Sequence, residues 1–174
     1  MDSKKALTVV ESIRLANHDF LNHLQLIQLH LELGNVDEAK NIMKDISTKY
    51  KTYSSLNKLF LPKTVEWLYT CGWRFPAIQL SINCKATDSN YTQNDDEIVQ
   101  YLEETLKHVY NDLDPFSEQN LLITIESAQN QFKLQFHLKG KWSSKSFQTV
   151  LMENIKVQTY EETQQSWKYE LSSD

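Results

Sequence analysis

The sequence predicts an α+β fold in two parts. Residues 1–58 are expected to form a helical hairpin that joins a second copy in a four-helix bundle, and residues 59–174 an α/β-sandwich domain. Up to about Ser55, apolar residues recur at the three- and four-residue spacing of amphipathic helices. Beyond Leu61-Pro62, several segments alternate apolar and polar residues at period two around a few short helices, which is typical of a sheet covered by helices.

The hairpin is predicted from one strong helix stop. The first helix runs from about Lys5 to Leu33 and ends at Gly34-Asn35. Asp37 and Glu38 follow at once, where the dipole of a second helix favours acidic side chains. Because the turn is so short, the two helices must be antiparallel neighbours. Two helices bury only a narrow seam, while the apolar stripe of the first is wide, so we expect two hairpins to pair into a four-helix bundle.

The second part is expected to be α+β, with a helix on one face of a mostly antiparallel sheet. In order, the segments are a helix from Lys63 to Thr70, a strand PAIQLSINC, a polar loop KATDSNYTQN, a helix DDEIVQYLEETLKHVYNDL, a hairpin of NLLITIES and QFKLQFHLK, a helix SSKSFQTVLMEN, and a hairpin of NIKVQTYEE and SWKYELSS. The tryptophans are expected to pack in the core or at its edge, and they are Trp67, Trp73, Trp142 and Trp167. Glu103 and Glu104 are expected on a solvated helix face.

Composition excludes several classes of function. The 174 residues carry a net charge of −5 and have a pI of about 5.5, and an acidic surface repels a nucleic-acid backbone. Three glycines are too few for a glycine-rich phosphate loop, and Cys71 and Cys84 form neither a zinc pattern nor a disulfide framework. Neither a signal peptide nor an apolar run of membrane-spanning length is present, so we expect a cytoplasmic protein that binds no membrane.

The stretch ANHDFLNHLQLIQLHLELG carries three histidines, which a helical projection separates. Stepping about 100° per residue from His18, five polar residues fall within about 40° of it, and they are Glu11, Arg14, Asn22, Gln25 and Glu32. The opposite side is apolar and consists of Val9, Ile13, Ala16, Phe20, Ile27 and Leu31. His23 and His30 lie roughly 120–140° from His18, on the flank of the apolar side. We expect these two to be structural, with His23 paired to Asp19 four residues earlier.

For His18 the sequence leaves two interpretations. A histidine on a polar helix face is ordinarily a solvated surface residue. An exposed imidazole is also what a phosphoacceptor needs, because near neutral pH much of it is unprotonated and nucleophilic. Asp19 can accept a hydrogen bond from one ring nitrogen and leave the other free, and Asn22 can add a neutral polar contact. No metal site is expected, because His18 and His23 lack the four-residue spacing of metal-binding pairs on one helix.

Residues 17–39, NHDFLNHLQLIQLHLELGNVDEA, resemble the histidine-box hairpin of the sporulation initiation phosphotransferase B family. A similar motif opens the kinase core of some citrate- and fumarate-sensing histidine kinases. The matching positions are His18, Asp19, Phe20, Asn22, His23, Leu24, Gln25, Ile27, Leu33 and Gly34. The resemblance implies a homodimer, a second domain similar to a histidine-kinase ATP-binding domain, and His18 as phosphoacceptor, assisted by Asp19 and Asn22.

The second domain lacks the motifs of an active kinase. A kinase of this type needs an asparagine box on a helix and glycine-rich turns around the nucleotide. The helix EIVQYLEETLKHVYNDL contains no Asn-x-x-x-Asn, and only Gly140 follows the strand QFKLQFHLK. Without a backbone that can approach the phosphates, ATP has no cradle. We therefore predict a phosphotransferase that binds no cofactor itself and uses Mg²⁺ held by its partner.

The resemblance implies a relay between two response regulators. His18 would accept a phosphoryl group from a phosphorylated single-domain regulator and pass it to a second regulator, a transcription factor that controls sporulation. Arg14, Leu21 and Gln25 would form the docking surface, although Leu21 could equally lie at the bundle edge. Two alternatives stay open, namely a degenerate sensor-kinase relative that still binds ATP and a non-catalytic dimer that only sequesters regulators.

Overall fold

The computed structural model describes residues 7–87, 91–143, 146–147 and 152–173. The chain divides into two compact units, Met1–Ser54 and Ser55–Asp174. The helices are α1 (Val9–Glu32), α2 (Val36–Leu56), α3 (Pro62–Arg74) and α4 (Asp95–Tyr110), and the strands are β1 (Gln79–Thr87), β2 (Asn120–Ala128), β3 (Gln131–Lys139), β4 (Ile155–Glu162) and β5 (Ser166–Ser173). A helical region followed by a domain built on a sheet is the α+β fold that the sequence predicts.

Both ends of α1 are capped by local sequence. At the N-terminus the Thr8 hydroxyl accepts from Glu11 N (3.2 Å) and the Glu11 carboxylate accepts from Thr8 N (2.7 Å), which forms a capping box. At the C-terminus Gly34 adopts a left-handed φ of 74°, and Asn35 N donates to His30 O (2.8 Å). This closing turn needs glycine, and α2 begins directly after it, so the predicted stop at Gly34-Asn35 is confirmed.

Helix α1 buries none of its residues within the chain. Its half-buried positions all lie between about 60° and 180° from His18, and they are Ser12, Leu15, Asp19, His23, Ile27 and His30. The rest of the predicted apolar side is exposed by 50–75%, at Val9, Ile13, Phe20 and Leu31. On α2, an exposed apolar row recurs at every seventh residue, namely Val36, Met43 and Tyr50. One hairpin therefore leaves an apolar surface uncovered.

The second unit is built on a five-stranded sheet of order β1-β2-β3-β5-β4. β1 and β2 are parallel, because α4 returns the chain to the end of the sheet from which β1 started, and the other neighbouring pairs are antiparallel. The mostly antiparallel sheet is thus confirmed. Its β2–β3 hairpin turns through Gln129, which adopts a left-handed φ of 54°.

The core lies on one face of this sheet. Alternate residues of β2, β3 and β5 point into it in register, so that Ile123 lies opposite Phe136 and Phe136 opposite Tyr169. Tyr169 OH donates to Thr105 Oγ1 of α4 (3.4 Å), which places α4 on this face. The tryptophans pack as predicted, since Trp67, Trp142 and Trp167 are buried and Trp73 is half-buried.

Some boundaries differ from the prediction. β1 starts at Gln79 rather than at Pro76 and continues to Thr87, into the predicted polar loop. α3 extends to Arg74 instead of ending at Thr70. Half of the predicted helix SSKSFQTVLMEN, residues 144–145 and 148–151, lies outside the described residues, and its described residues are not helical.

The expectation that Glu103 lies on a solvated face is wrong. α3 packs against α4, and the Glu103 carboxylate lies between them, where it accepts from Trp67 Nε1 (2.8 Å) and pairs with Arg74 and Lys107. Burial raises the pKa of this carboxyl, but the Trp67 hydrogen bond and the Arg74 charge outweigh burial and leave the pKa below its usual value. The Arg74 guanidinium is almost buried and therefore needs a negatively charged partner. The residues next to it in sequence do not reveal that Glu103 is this partner.

The N-terminus of α3 is capped by a residue of α4. Its own cap position, Leu61, offers no side-chain acceptor. Instead Asp95 accepts hydrogen bonds from Lys63 N (2.8 Å), Thr64 N (2.8 Å) and Thr64 Oγ1 (2.7 Å). One carboxylate therefore satisfies the exposed amides of α3 and ties the two helices together.

We predict that Asp95→Ala lowers the free energy of unfolding by about 1–3 kcal/mol, because it leaves the buried Thr64 hydroxyl and two amides without an acceptor. Asp96→Ala is the matched control, since among the described residues Asp96 pairs only with the exposed Lys63 ammonium and water screens that pair. Urea unfolding monitored by circular dichroism measures both variants. Equal losses in the two variants would contradict the capping role.

Candidate functional site

His18 projects from the middle of α1 with its side chain 69% exposed. Its Nδ1 atom lies 3.5 Å from Asp19 Oδ1 and 3.2 Å from Asn22 Nδ2. Within the described residues, Nε2 has neither a hydrogen-bond partner nor an ion-pair partner. The sequence-predicted trio is thus brought together by one helical turn, and one ring nitrogen is held while the other faces outward.

The two contacts of Nδ1 favour one tautomer once the Asn22 amide is oriented. The Asp19 carboxylate is only an acceptor, so it requires a proton on Nδ1. An amide can rotate by about 180° to exchange its oxygen and nitrogen, and Asn22 Oδ1 would then accept from the same Nδ1–H. In that orientation the proton would lie on Nδ1 and the lone pair on Nε2, whereas an Asn22 Nδ2–H that donates to Nδ1 would exchange the two. A lone pair facing outward is the requirement for nucleophilic attack.

The predicted docking residues surround His18 on the same side of α1. Arg14, Leu21 and Gln25 are all exposed and lie within about 60° of His18 in projection. Leu29 was not singled out from the sequence, but it lies about 20° from His18 and is also exposed. Its spacing of eleven residues, or three turns, is the signal that could have identified it.

His23 and His30 occupy the half-buried side of α1, away from His18. The Nδ1 atom of each is enclosed and has no hydrogen-bond partner within the described residues. We expected Asp19 to pair with His23, whereas Asp19 Oδ1 contacts the ring of His18. The structure thus places these two histidines in packing positions rather than on the exposed polar face.

The turn after β3 is filled beside its glycine by a side chain of the same unit. A Cβ atom on Gly140 would lie 1.7 Å from Oε1 of Gln119, so this glycine makes room for a side chain of its own chain. Gln119 is 3% exposed, accepts from Lys141 N (3.1 Å), and donates to the carbonyls of Asp114 (3.1 Å) and Lys141 (3.3 Å). A glycine has no side chain, so other groups can approach its backbone closely. At Gly140 the group that does so is the buried, hydrogen-bonded side chain of Gln119.

Helix α4 presents an acidic first turn and, further along, a cluster of aromatic rings. Its first turn is acidic, and Glu97 Oε1 accepts from Asn154 Nδ2 (3.0 Å). Further along, the ring of Phe147 packs against Tyr101, His108 and Trp167, with centroid distances of 5.8, 5.4 and 5.1 Å. Packed aromatic rings therefore fill this part of the α4 surface.

The described residues contain neither a cluster of metal ligands nor a helix that could span a membrane. No three His, Cys, Asp or Glu side chains gather closely enough to bind a metal ion. No described helix combines the length and apolar content that a bilayer crossing requires.

Comparison with known families shows to which family the chain belongs. The family model described as "Sensor_kinase_SpoOB-type, alpha-helical domain" matches residues 1–59, and that described as "Sporulation initiation phospho-transferase B, C-terminal" matches residues 61–173. The chain belongs to the sporulation initiation phosphotransferase B family. The resemblance carried by the histidine box is therefore confirmed, and it extends over both units.

Other comparisons are more distant. No curated protein matches the chain significantly. Among solved structures, the Acinetobacter baumannii histidine kinase AdeS is similar with a TM-score of 0.42 and 10% sequence identity, covering 90% of this chain and 97% of that chain. Membership of the sporulation initiation phosphotransferase B family follows from the two family models alone.

We predict that Gly140→Ala lowers the free energy of unfolding by about 1–3 kcal/mol, because the new methyl group collides with the Gln119 amide. In a Gln119→Ala background the collision is removed, so the same substitution should have a much smaller effect. Urea unfolding of the four proteins in this double-mutant cycle measures the coupling. Additive effects of the two substitutions would show that Gln119 does not fill the space beside Gly140.

Proposed function

We propose that this chain is a phosphorelay phosphotransferase. His18 accepts a phosphoryl group from the aspartate of one response regulator and passes it to the aspartate of a second, which controls sporulation. Family membership supports a phosphorelay-related role in general. The observation that carries the specific proposal is the exposed His18 ring, with Nδ1 between Asp19 and Asn22 and Nε2 without a partner among the described residues.

The proposed chemistry forms a phosphohistidine intermediate. The Nε2 lone pair attacks phosphorus, an N–P bond forms, and the bond from phosphorus to the aspartyl oxygen breaks, so that the regulator carboxylate leaves with the electron pair. His18 keeps its Nδ1 proton and the ring becomes positively charged. Asp19 lies beside that proton and stabilises the charge. The second regulator's carboxylate then attacks the same phosphorus, and the imidazole leaves as the neutral ring.

The phosphoryl group comes from a protein rather than from ATP in this proposal. The filled space beside Gly140 and the acidic first turn of α4 support this choice. Mg²⁺ would be held by the acidic pocket of the regulator, so the chain supplies only the nucleophile and its surroundings. We place the relay in the cytoplasm, without nucleic acid or membrane as partners.

We also propose that the working form is a homodimer. The exposed apolar side of α1 and the row Val36, Met43 and Tyr50 on α2 present the surface that a four-helix bundle would bury. Apolar surface of this extent on a single chain favours association. The apolar side of α1 lies opposite His18, so association through it leaves His18, Arg14 and Gln25 accessible to a regulator.

We predict that a single-domain regulator carrying a radioactive phosphoryl group transfers this label to the wild-type chain and not to the His18→Gln variant. The label should be acid-labile and base-stable, as a phosphoramidate is. His30→Gln is the control, because His30 is a histidine of the same helix that lies on the half-buried side. Equal labelling of wild type and His18→Gln would refute the role of His18.

The labelling experiment, together with two binding measurements, separates the alternatives. A sequestering dimer predicts tight regulator binding, unchanged in His18→Gln, without label in the wild type. A degenerate kinase relative predicts saturable Mg-ATP binding by calorimetry and label from radioactive ATP without any regulator. The proposed phosphotransferase predicts neither result.

Two adjacent residues with similar exposure, Phe20 and Leu21, distinguish association from docking. Phe20 lies on the apolar side and Leu21 about 60° from His18. We predict that Phe20→Asp yields monomers, because a charge in the bundle seam must be desolvated. Leu21→Asp should stay dimeric but accept label at least about fivefold more slowly, because it loses one apolar docking contact. Sedimentation and initial labelling rates measure both, and a dimeric Phe20→Asp would contradict the proposed interface.

A further inference from the structure

Arg14 is the only lysine or arginine of α1 (Val9–Glu32). It is exposed, precedes His18 by one helical turn and lies about 40° from it in projection. Within the described residues its guanidinium has no hydrogen-bond partner and no ion-pair partner. The one other arginine of the chain, Arg74, pairs with Glu103 between α3 and α4. Arg14 is therefore a positive charge beside the proposed phosphoacceptor that no described group of the chain neutralises.

The carboxylates on the same side of α1 are held by other groups. Glu11 Oε2 accepts from Thr8 N and from Thr8 Oγ1, both at 2.7 Å, and the capping box thereby keeps this carboxylate at the end of the helix. Glu32 Oε1 accepts from Gln28 Nε2 (2.7 Å). Glu11 is three residues from Arg14, a spacing at which ion pairs form on helices, so its capture by Thr8 leaves the guanidinium open to another anion.

A phosphoryl group on His18 would be such an anion. Residues four apart on a helix lie about 5–6 Å from each other at Cβ, and the arginine side chain is long enough to cross that distance. Its planar guanidinium presents N–H groups in pairs that match two oxygens of one phosphoryl group. Asp19 Oδ1 lies 3.5 Å from His18 Nδ1, so the phosphoryl group would form near a carboxylate, and the charge of Arg14 would offset their repulsion.

We infer that Arg14 binds the phosphoryl group carried by His18, with two guanidinium N–H groups donating to two of its oxygens. Phosphorylation of His18 belongs to the proposed function, on which this role of Arg14 rests. Arg14 would then act on the reacting group itself and not on the surface of the regulator, so the contact forms in the phosphorylated chain without any regulator.

Chemical phosphorylation of the full chain with phosphoramidate, a small phosphoryl donor, tests this role without a regulator. The ³¹P signal of phosphorylated His18 is the one that is missing from His18→Gln. Because the chain has only two arginines, Arg14→Lys assigns the Arg14 side-chain N–H signal in a ¹⁵N spectrum, and Arg74 serves as internal control. Phosphorylation of the wild type should shift the Arg14 signal, slow its exchange with water and leave Arg74 unchanged. In His18→Gln the same treatment should leave both signals unchanged.

The pH midpoint of the His18 ³¹P signal is the second measurement. A bound cation favours the form that has lost a proton, whether the proton leaves the phosphoryl group or the imidazole ring. The midpoint should therefore lie lower in wild type than in Arg14→Gln, by at least about 0.3 pH units, as a surface ion pair would produce. Arg14→Lys should lie between them, because lysine keeps the charge and loses the paired donors. Lys44→Gln, which removes an exposed cation from α2, is the matched control and should titrate as wild type does.

An unchanged Arg14 signal, or equal midpoints in wild type and Arg14→Gln, would overturn this role of Arg14. An arginine that only docks the regulator would give both results and would only raise the regulator concentration that half-saturates labelling. A wild type without a His18 ³¹P signal would contradict both the nucleophilic ring and the role of Arg14. Failure of the proposed function is recognised separately, by a wild type that takes no label from a phosphorylated regulator.

Circular dichroism establishes that each variant keeps its helices. Glutamine and lysine have helix propensities close to that of arginine, so both substitutions at Arg14 should fold. If Arg14→Gln does not fold, the Arg14 signal of the wild type decides the outcome.

Discussion

The uncovered apolar side of α1 is the constraint on which the rest of this molecule depends. A 24-residue helix that buries none of its residues in its own chain gains little from packing within the hairpin. Its stability as a long helix would then depend on another surface, which the second copy of the proposed homodimer would supply. Burial of the side opposite His18 would fix the orientation of the helix and keep the phosphoacceptor on the outside.

The second unit has kept a well-packed fold while its glycine-bearing turn is filled. Gly140 lies against the buried Gln119, and Phe147 occupies the surroundings of α4 with its own ring contacts. Each of these contacts packs a side chain into the space around the turn or beside α4. Under the proposed function, these side chains would account for a second unit that is well packed and binds no nucleotide.

Much of this could be predicted from sequence because it is local. The Gly34 turn, the β3 strand and the His18–Asp19–Asn22 trio all depend on residues a few positions apart. Partners that are distant in sequence could not be predicted. Glu103 pairs with Arg74 of another helix. Gln119 lies against Gly140, although strands β2 and β3 separate the two residues in sequence. β1 was misplaced by a few residues because an edge strand, packed from one side only, has a weak alternation pattern.

The trio around His18 also separates the roles of the two units. All three side chains come from a single turn of α1, so their geometry is set by helix periodicity and needs no residue beyond Met1–Ser54. A phosphoacceptor built in this way would keep its tautomer whatever the second unit binds. The proposed phosphoacceptor therefore depends on the first unit alone, because the second unit contributes none of these three side chains.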